Sequence, residues 1–234
     1  MPKKNNTVLI CVAHRDDETL GCGGIIQNHI EKKDKVYCVS MTDGVSSRKE
    51  KNLNLKRKIR IKNSIKASKI LGFEWINIDK NFPDNQIDKV PFIEVVRAIE
   101  TIKKKINPTI IYTHNPSDLN IDHRILSDAV ITAFRPLANE SWKKIIAFEV
   151  PSSTDYSYHK KKNFFIPNYI FNIEKYWIKK KRAIQSYKTE IKKFPNSRSL
   201  KGIYNLAQLR GVQNGIKLAE AFIILKEIKR LKKY

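Results

Sequence analysis

Short apolar runs alternate with longer stretches of mixed polarity through the first two thirds of the chain. Residues 7–13 form a continuous, partly β-branched run, which is typical of a strand buried on both faces of a parallel sheet. The intervening stretches place apolar residues at helical spacing. This alternation predicts an α/β fold, with a Rossmann-like, mostly parallel sheet flanked by helices. Strands are predicted at 7–13, 35–41, 75–78, 110–113 and 145–150, and helices at 21–30, 53–71, 91–106 and 125–134.

The pattern changes after Pro151. The segment 151–168 is rich in Ser, Tyr, Asn and Pro, which predicts a loop. No segment has the length or composition of an interdomain linker, and no internal repeat is visible, so we expect a single domain over residues 1–234. The elements expected in this last third are a late strand at 169–173 and helices at 174–192 and 206–231, with a break at Pro195-Asn196-Ser197.

The chain is strongly basic, with 46 Lys and Arg against 23 Asp and Glu and a formal net charge of +23. Such a balance indicates a polyanionic partner. The three candidates are nucleic acid, an anionic membrane surface and a phosphorylated substrate. The lysines are spread from Lys3 to Lys233, so a compositional bias explains the charge equally well. No apolar stretch approaches the ~20 residues of a membrane span. The basic tail 226–234 is expected to be a solvated helix end, with peripheral membrane contact as the alternative.

The three cysteines, Cys11, Cys22 and Cys38, include no C-x-x-C pair. This pattern argues against a disulfide framework and a zinc ribbon, and it favours a reducing, cytoplasmic location. The Gly-rich segment 21–24 lacks the G-x-G-x-x-G spacing of a nucleotide-binding loop, so we interpret it as close packing of a helix on the sheet. We interpret His29 as a helix-face residue and not as a ligand.

Two clusters of ionisable residues follow the first and fourth predicted strands. The first is Ala-His-Arg-Asp-Asp-Glu at 13–18, and the second spans 114–123. Open parallel sheets bind ligands beyond the carboxyl ends of their strands, where both clusters would lie. Local structure explains each cluster alone, as an acidic helix start in the first and an Asx-rich turn in the second. Together they bring histidines and carboxylates to one edge, and two histidines with one carboxylate are a common zinc set in hydrolases.

The string Ala-His-Arg-Asp-Asp-Glu-Thr-Leu-Gly (13–21) and the later string Asp-Leu-Asn-Ile-Asp-His-Arg (118–124) carry a family resemblance. In this order and spacing they are similar to the PIG-L (LmbE-like) zinc-dependent N-deacetylases, which act on N-acetylglucosamine derivatives. The resemblance runs almost end to end, and these two motifs are its most specific part. Supporting segments that fit the bacterial sugar-pathway members lie at 42–48, 82–85, 148–154, 195–199, 210–211 and 219–222.

The resemblance implies roles for several residues. His14, Asp17 and His123 would bind Zn²⁺ or another divalent transition metal. Asp16 would be the general base for the attacking water. Asp122, beside His123 in the sequence, would contact a metal ligand without binding the metal itself, or would relay charge.

Two positions depart from the family pattern. Arg15 stands where the family usually has Pro, and we interpret it either as a surface substitution or as a contact for a substrate phosphate. Asn120 stands where many relatives have a His that stabilises the oxyanion or acts as an acid. An amide can donate a hydrogen bond to an oxyanion but cannot supply a proton. His114, in the same loop, is the candidate for the missing acid.

The expected function is zinc-dependent removal of an acetyl group from an N-acetylamino sugar or sugar-phosphate conjugate in glycan or glycoconjugate biosynthesis. Asp43, Arg48 and Asp84 are the candidates for holding the sugar or its phosphate, with ordinary turn chemistry as the alternative. Two other functions stay open, a basic nucleic-acid-binding module and hydrolysis of another N-acyl or carbamoyl group. A nucleic-acid module does not explain the acids around His14, so no nucleic-acid partner is expected. The oligomeric state is left open.

Overall fold

The computed structural model describes residues 5–47, 52–79, 81–158 and 164–229. Within these ranges the centre of the molecule is a sheet of seven strands: β1 (Thr7–Val12), β2 (Lys35–Ser40), β3 (Glu74–Ile76), β4 (Ile110–His114), β5 (Lys144–Phe148), β6 (Tyr169–Asn172) and β7 (Ala219–Glu227). They pair in the order β3-β2-β1-β4-β5-β7-β6. Strands β1 to β5 are parallel, and β7 runs antiparallel between β5 and β6. The predicted Rossmann-like, mostly parallel sheet is confirmed.

Helices cover both faces of the sheet. Those in the described ranges are α1 (Asp17–Glu31), α2 (Leu53–Leu71), α3 (Phe92–Ile106), α4 (Ile121–Ala133), α5 (Trp177–Ile184) and α6 (Leu200–Val212). On one face, Ile25 of α1 and Ala183 of α5 share a core with Ile10 of β1, and α2 joins the same core. On the other face, Val95 of α3 shares a core with Leu9 of β1, and α4 joins that core. Strand β1 is therefore buried on both faces, as its continuous apolar run predicts.

Glycines in α1 allow this helix to lie close to its neighbours. A Cβ atom at Gly21 would overlap the Phe148 ring, and one at Gly24 would overlap Ile173. The interpretation of segment 21–24 as close helix packing is therefore confirmed. The three cysteines are buried and carry free thiols, in agreement with the expected lack of a disulfide framework.

The predicted helix at 206–231 is wrong. Helix α6 ends at Val212, and strand β7 follows after a turn. Glu220 of β7 is buried, and its carboxylate accepts Lys180 Nζ at 2.7 Å and the backbone N–H groups of Gly24 and Ile25 at 2.6 and 2.8 Å. These partners come from α1 and α5, so nothing local in the sequence indicates that Glu220 lies in a buried strand. The basic tail therefore begins inside β7, and residues 230–234 lie outside the described ranges.

Other helix boundaries also differ from the prediction, and α1 begins at Asp17 and not at 21. The segment 174–192 contributes α5 only over Trp177–Ile184, after a 3₁₀ turn. Helix α4 begins at Ile121 and not at 125, because Asn120 caps it by accepting the backbone N–H of Asp122 at 2.9 Å. The second acidic motif thus enters the first turn of α4. In the described part of the chain, no helix is long and apolar enough to cross a bilayer.

Candidate active site

The two acidic motifs meet at the carboxyl ends of β1 and β4, which are adjacent in the sheet. His14 lies just beyond β1, His114 is the last residue of β4, and His123 lies in the first turn of α4. All three imidazoles are buried, with His14 the most accessible at 8% exposure. The predicted convergence of both motifs at one edge of the sheet is confirmed.

Three side-chain atoms form a nearly equilateral triangle at this edge. His14 Nδ1 lies 3.3 Å from Asp17 Oδ2 and 3.2 Å from His123 Nε2, and His123 Nε2 lies 3.3 Å from Asp17 Oδ2. Ligands about 2.1 Å from a tetrahedral metal ion lie roughly 3.4 Å from one another, which agrees with these edges. His14, Asp17 and His123 could therefore hold a divalent metal ion.

The charges at the triangle favour a cation. Burial alone would lower the pKa of His123, but Asp118 and Asp17 raise it to about 9. Burial likewise opposes protonation of His14, yet its carboxylate contacts raise its pKa well above the usual value. Burial would raise the pKa of Asp17, but the neighbouring histidines hold it well below the usual value. The carboxylates thus stabilise positive charge here, which either protons or a metal ion supplies.

A second pair of carboxylates contacts the other nitrogen of His14. Its Nε2 lies 3.0 Å from Asp84 Oδ1 and 3.3 Å from Asp122 Oδ2. The Asp122 oxygens also accept the backbone N–H groups of Asn85 and Ile87 at 2.6 and 3.1 Å. Since these oxygens are already occupied, Asp122 fits a role in orienting His14 and the 85–87 loop better than a role as metal ligand. The candidate ligand that it contacts is His14 and not its sequence neighbour His123.

Asp118 lies behind His123, on the side of the ring away from the triangle. Its Oδ2 lies 3.3 Å from His123 Nδ1 and accepts the Thr154 hydroxyl at 2.7 Å, and its Oδ1 accepts the Ser153 hydroxyl. Contacts with the histidines and these hydroxyls hold the pKa of Asp118 below its usual value despite burial, so it is a carboxylate. Sequence reasoning missed this role because the motif offers two acids near His123 and no local signal chooses between them.

Asp16 precedes α1 but does not cap it. No side-chain cap is formed, and its Oδ2 lies instead 3.4 Å from Arg198 Nη1 and 3.5 Å from Arg60 Nη1. Its Oδ1 is buried without a hydrogen-bond partner among the described residues. Burial raises the pKa of Asp16, and the two guanidinium groups oppose that rise. The Asp16 carboxylate therefore does not act as a helix cap, and one of its oxygens is free for chemistry.

Glu18 fixes the backbone of Asp16. Its Oε2 accepts the Asp16 N–H at 3.0 Å, and its Oε1 accepts the Tyr187 hydroxyl at 2.6 Å. Asp16 has φ +153°, which costs a residue other than glycine on the order of 1–3 kcal/mol and persists only where its surroundings impose it. Burial raises the pKa of Glu18 to about 7.

His114 does not fit the role of general acid. Its Nε2 accepts the backbone N–H of Ala13 at 2.9 Å, and its ring stacks on His123 with centroids 3.7 Å apart. The side chain is fully buried, and burial holds its pKa well below the usual value. His114 is therefore neutral and packs beneath the candidate ligand. Because the Oδ1 of Asn120 caps α4, only its Nδ2 remains to donate a hydrogen bond.

A cavity of about 270 Å³ opens over the triangle. Apart from Gly44, every described residue that lines it is polar. Arg60 from α2, and Glu190 and Arg198 from the segment between α5 and α6, are wall residues that sequence reasoning did not select. The lining consists of His14, Asp16, Gly44, Ser47, Arg60, Asp84, Asn85, Asn120, His123, Ser152, Ser153, Glu190 and Arg198.

The predicted substrate-binding residues lie in different places. Asp84 lines the cavity and contacts His14. Asp43 does not line it, because its Oδ1 accepts the backbone N–H groups of Val45 and Ser46 and its Oδ2 pairs with an arginine of α2. Turn chemistry therefore explains Asp43. Arg48 lies outside the described residues.

Arg15 points away from the cavity. Its Nη1 donates to Ser64 Oγ at 2.9 Å, and its guanidinium lies over the Trp75 ring, 4.4 Å from the centroid. The side chain is therefore anchored between α2 and β3, and it does not fit a contact with a substrate phosphate.

Known proteins are similar to this chain in sequence and in fold. The family model described as PIG-L: GlcNAc-PI de-N-acetylase matches residues 9–134, which include the whole triangle. The chain belongs to the PIG-L family. The Escherichia coli K12 protein YaiS, described as an uncharacterized deacetylase, is 28% identical over 161 residues, which cover 64% of this PIG-L chain and 77% of YaiS.

Solved structures share the fold of this PIG-L protein at lower identity. The N,N'-diacetylchitobiose deacetylase of Pyrococcus horikoshii superposes on it with a TM-score of 0.74 at 22% identity. The match covers 94% of this chain and 84% of that one. GalB of Pseudomonas putida KT2440, a 4-carboxy-2-hydroxymuconate hydratase, has a TM-score of 0.72 at 17% identity, covering 98% and 99%. At this identity the likeness establishes the fold, and the printed activities belong to those proteins.

Proposed function

We propose that this protein is a metal-dependent N-deacetylase. It removes the acetyl group from an N-acetylamino sugar or sugar-phosphate conjugate, in the biosynthesis of surface glycans or glycoconjugates. The observation that carries the proposal is the His14–Asp17–His123 triangle together with the free Asp16 Oδ1 on the wall of one polar cavity. PIG-L membership supports amide hydrolysis, and the activity named for the Pyrococcus horikoshii relative supports a sugar substrate.

The proposed metal is Zn²⁺, with another divalent transition metal as the alternative. A bound ion supplies a Lewis acid for the amide carbonyl and for the attacking water. The residues that would hold it are His14, Asp17 and His123. Asp118 behind His123, and Asp84 behind His14, fix the orientation of both imidazoles.

Asp16 is the proposed general base. Its Oδ1 accepts a proton from the water as the water adds to the carbonyl carbon. The same carboxyl group then donates that proton to the departing nitrogen as the C–N bond breaks, which yields acetate and the free amine. Asn120, which lines the cavity, is the proposed donor of a hydrogen bond to the oxyanion through its Nδ2. This assignment removes the need for His114 as an acid.

The polar cavity supports a hydrophilic substrate. Its volume of about 270 Å³ is close to the lower end of small-molecule sites, roughly 300 Å³, which suits one sugar ring better than an extended glycan. Arg60 and Arg198 offer guanidinium donors, and Asp84 and Glu190 offer carboxylate acceptors. Such groups match sugar hydroxyls, and the arginines also match a phosphate.

The experiment that tests the proposal is acetate release by protein that has been stripped with a chelator and reconstituted with Zn²⁺. The substrates are free N-acetylhexosamines, their 1-phosphates and their nucleotide diphosphates, with N-carbamoyl analogues beside them. Zinc-dependent acetate release from at least one N-acetyl sugar is expected. Absence of acetate from every member after reconstitution would overturn the proposal, and turnover of only the carbamoyl analogues would replace its substrate class.

A further inference from the structure

Helix α2 has an inverted arrangement of polar and apolar side chains. A helix that packs on a sheet normally turns its apolar stripe toward the core. The inward face of α2 is instead largely polar or small, with Arg60, Ser64, Ala67, Ser68 and Leu71 buried. Its outward face carries Leu55, Ile59, Ile61 and Ile65, which are 56%, 39%, 39% and 44% exposed.

The inward polarity has a reason inside the molecule. Arg60 contacts Asp16 and lines the cavity. Ser64 accepts Arg15 at its Oγ and Trp75 Nε1 at its backbone carbonyl, 2.9 and 3.1 Å away. Arg60 thus forms part of the wall of the candidate active site, and the Ser64 contacts anchor α2 to Arg15 and β3. Nothing within the described ranges covers the outward aliphatic side chains, so their placement needs another explanation.

The outward face is also cationic. Helix α2 contains seven Lys and Arg and no Asp or Glu, and Lys58, Lys62, Lys66 and Lys69 are all exposed. Helix α3, on the opposite face of the sheet, mixes four Lys and Arg with two Glu. A compositional bias acts on both helices, so it does not explain why acids are absent from α2. The adjacent helix α5 is likewise free of acids and exposes Ile178 at 64%.

We propose that the outward face of α2, extended by α5, docks on an anionic lipid bilayer. Lysine head groups reach lipid phosphates while the aliphatic side chains enter the boundary between headgroups and acyl chains. A second copy of this chain packed through a two-fold axis would oppose lysines to lysines. Nucleic acid would match the lysines but not the aliphatic side chains, and α2 offers no aromatic ring for stacking on bases.

Docking in this way would bring the cavity next to the lipid headgroups. Helix α2 follows the loop that contributes Gly44 and Ser47 to the cavity, and it contributes Arg60 itself. The proposal does not depend on the deacetylase chemistry, because vesicle binding is measured without substrate.

The experiment is co-sedimentation of the full chain with vesicles of phosphatidylcholine, alone or with 30% phosphatidylglycerol, in ~0.1 M salt. The parent is expected to bind the anionic vesicles only. The triple variant Lys58→Gln, Lys62→Gln, Lys66→Gln should bind on the order of 100-fold more weakly. The variant Leu55→Gln, Ile59→Gln, Ile65→Gln should weaken binding by at least about tenfold. The matched control on α3, Arg97→Gln, Lys104→Gln, Lys105→Gln, should stay within about twofold of the parent.

Four results would overturn the proposal. One is an absence of binding to anionic vesicles, and another is equal weakening by the α2 and α3 charge variants, which would assign binding to net charge alone. A third would be an aliphatic variant that binds vesicles as the parent does and also binds a single-stranded nucleic-acid 20-mer as the parent does. This pair of results would indicate a nucleic-acid surface. The last is a parent dimer in light scattering that the aliphatic variant converts to monomer. Circular dichroism melts check folding, and the pair Ile59→Gln, Ile65→Gln replaces the triple if it unfolds.

Discussion

Two histidine–carboxylate clusters lie at opposite edges of the same sheet, and each borders a cavity. In the amino-edge cluster, His29 Nδ1 lies 2.7 Å from Asp34 Oδ2 and His29 Nε2 lies 3.0 Å from the Tyr112 hydroxyl. The other Asp34 oxygen accepts the backbone N–H of Asn6 at 2.7 Å. The adjacent cavity, about 330 Å³, is even larger than the one over His14. A buried histidine, an acid and a cavity are therefore not enough to indicate a reaction.

The other cluster, at the carboxyl edge, consists of His14, Asp16, Asp17 and His123. It differs because some of its buried polar atoms lack hydrogen-bond partners. Asp16 Oδ1 and Asp17 Oδ1 are buried without hydrogen-bond partners among the described residues, and two imidazole nitrogens face each other 3.2 Å apart. Buried polar groups are almost always satisfied in folded proteins. A cluster whose groups all have partners is structural, whereas one that leaves acceptors converging on a point indicates an ion and a substrate that complete it.

The largest effect that this comparison predicts is at a ligand. His123→Ala leaves one imidazole and one carboxylate, too few for a three-ligand site, so most bound zinc should be lost and turnover should fall on the order of 10³-fold or more. His29→Ala, the matched change at the amino edge, should bind as much zinc as the parent does. Metal content by mass spectrometry and acetate release measure both. Stoichiometric zinc in His123→Ala, bound as tightly as in the parent, would show that the ligand assignment is wrong.

The next effect separates two adjacent acids. Asp16→Asn should retain the metal but lose turnover by about 10²–10⁴-fold, the usual contribution of a positioned general base. Asp17→Asn should lose metal affinity, because a neutral amide replaces an anionic ligand. The acidic limb of the pH–rate profile should vanish in Asp16→Asn, and in the parent it should lie above the range of an ordinary aspartate, since burial raises this pKa. An exchange of the two phenotypes would exchange the two roles.

A smaller effect is expected behind the ligands. Asp118→Asn should lower metal affinity or activity by about 10–100-fold, because it loosens the orientation of His123. Asp34→Asn removes an equivalent histidine partner at the amino edge and should leave metal affinity unchanged. Isothermal titration with Zn²⁺ gives both affinities. Equal zinc affinity in Asp118→Asn and the parent would mean that this carboxylate positions Ser153 and Thr154 and does not orient His123.

The parallel half of the fold could be predicted from the sequence because strands buried on both faces appear as continuous apolar runs. The last third could not be predicted in the same way. Strand β7 contains a buried Glu220 whose partners lie in α1 and α5, and such compensation has no local signal. Helix α2 was predicted with its observed bounds, 53–71, but its polar inward face was not predicted, because the contacts of that face are tertiary.

The residues of the candidate site also differ in whether the sequence identifies them. His14, Asp16, Asp17 and His123 stand in two short motifs, so their spacing and a family resemblance were enough to select them. Arg198 was not selected, because it reaches Asp16 from 182 residues away in sequence and nothing in its supporting segment, 195–199, indicates that contact. Tertiary contacts of this kind are identified only in the folded chain.

The smallest expected effect concerns stability at the amino edge. His29→Gln should lower the free energy of unfolding by about 1–3 kcal/mol at pH 8, because Asp34 and Tyr112 lose a buried partner, with acetate release within about twofold of the parent. Burial lowers the pKa of His29 more than its bond to Asp34 raises it. The unfolded chain therefore binds this proton more readily, so the contribution of His29 is full above about pH 6.5 and declines below it.

Urea unfolding of the parent and of His29→Gln at pH 8 and at pH 5 tests this sign. The difference between the two proteins cancels the titration of the active-site groups, which both share. Asp34 does not confuse the result, because its own pKa is lowered by the bonds from His29 and Asn6 despite burial, and its contribution is lost only below about pH 4. The stability difference should shrink on acidification. A difference that grows would mean that His29 is protonated in the folded protein, and the amino-edge cluster would then also hold a positive charge, as the carboxyl-edge cluster does.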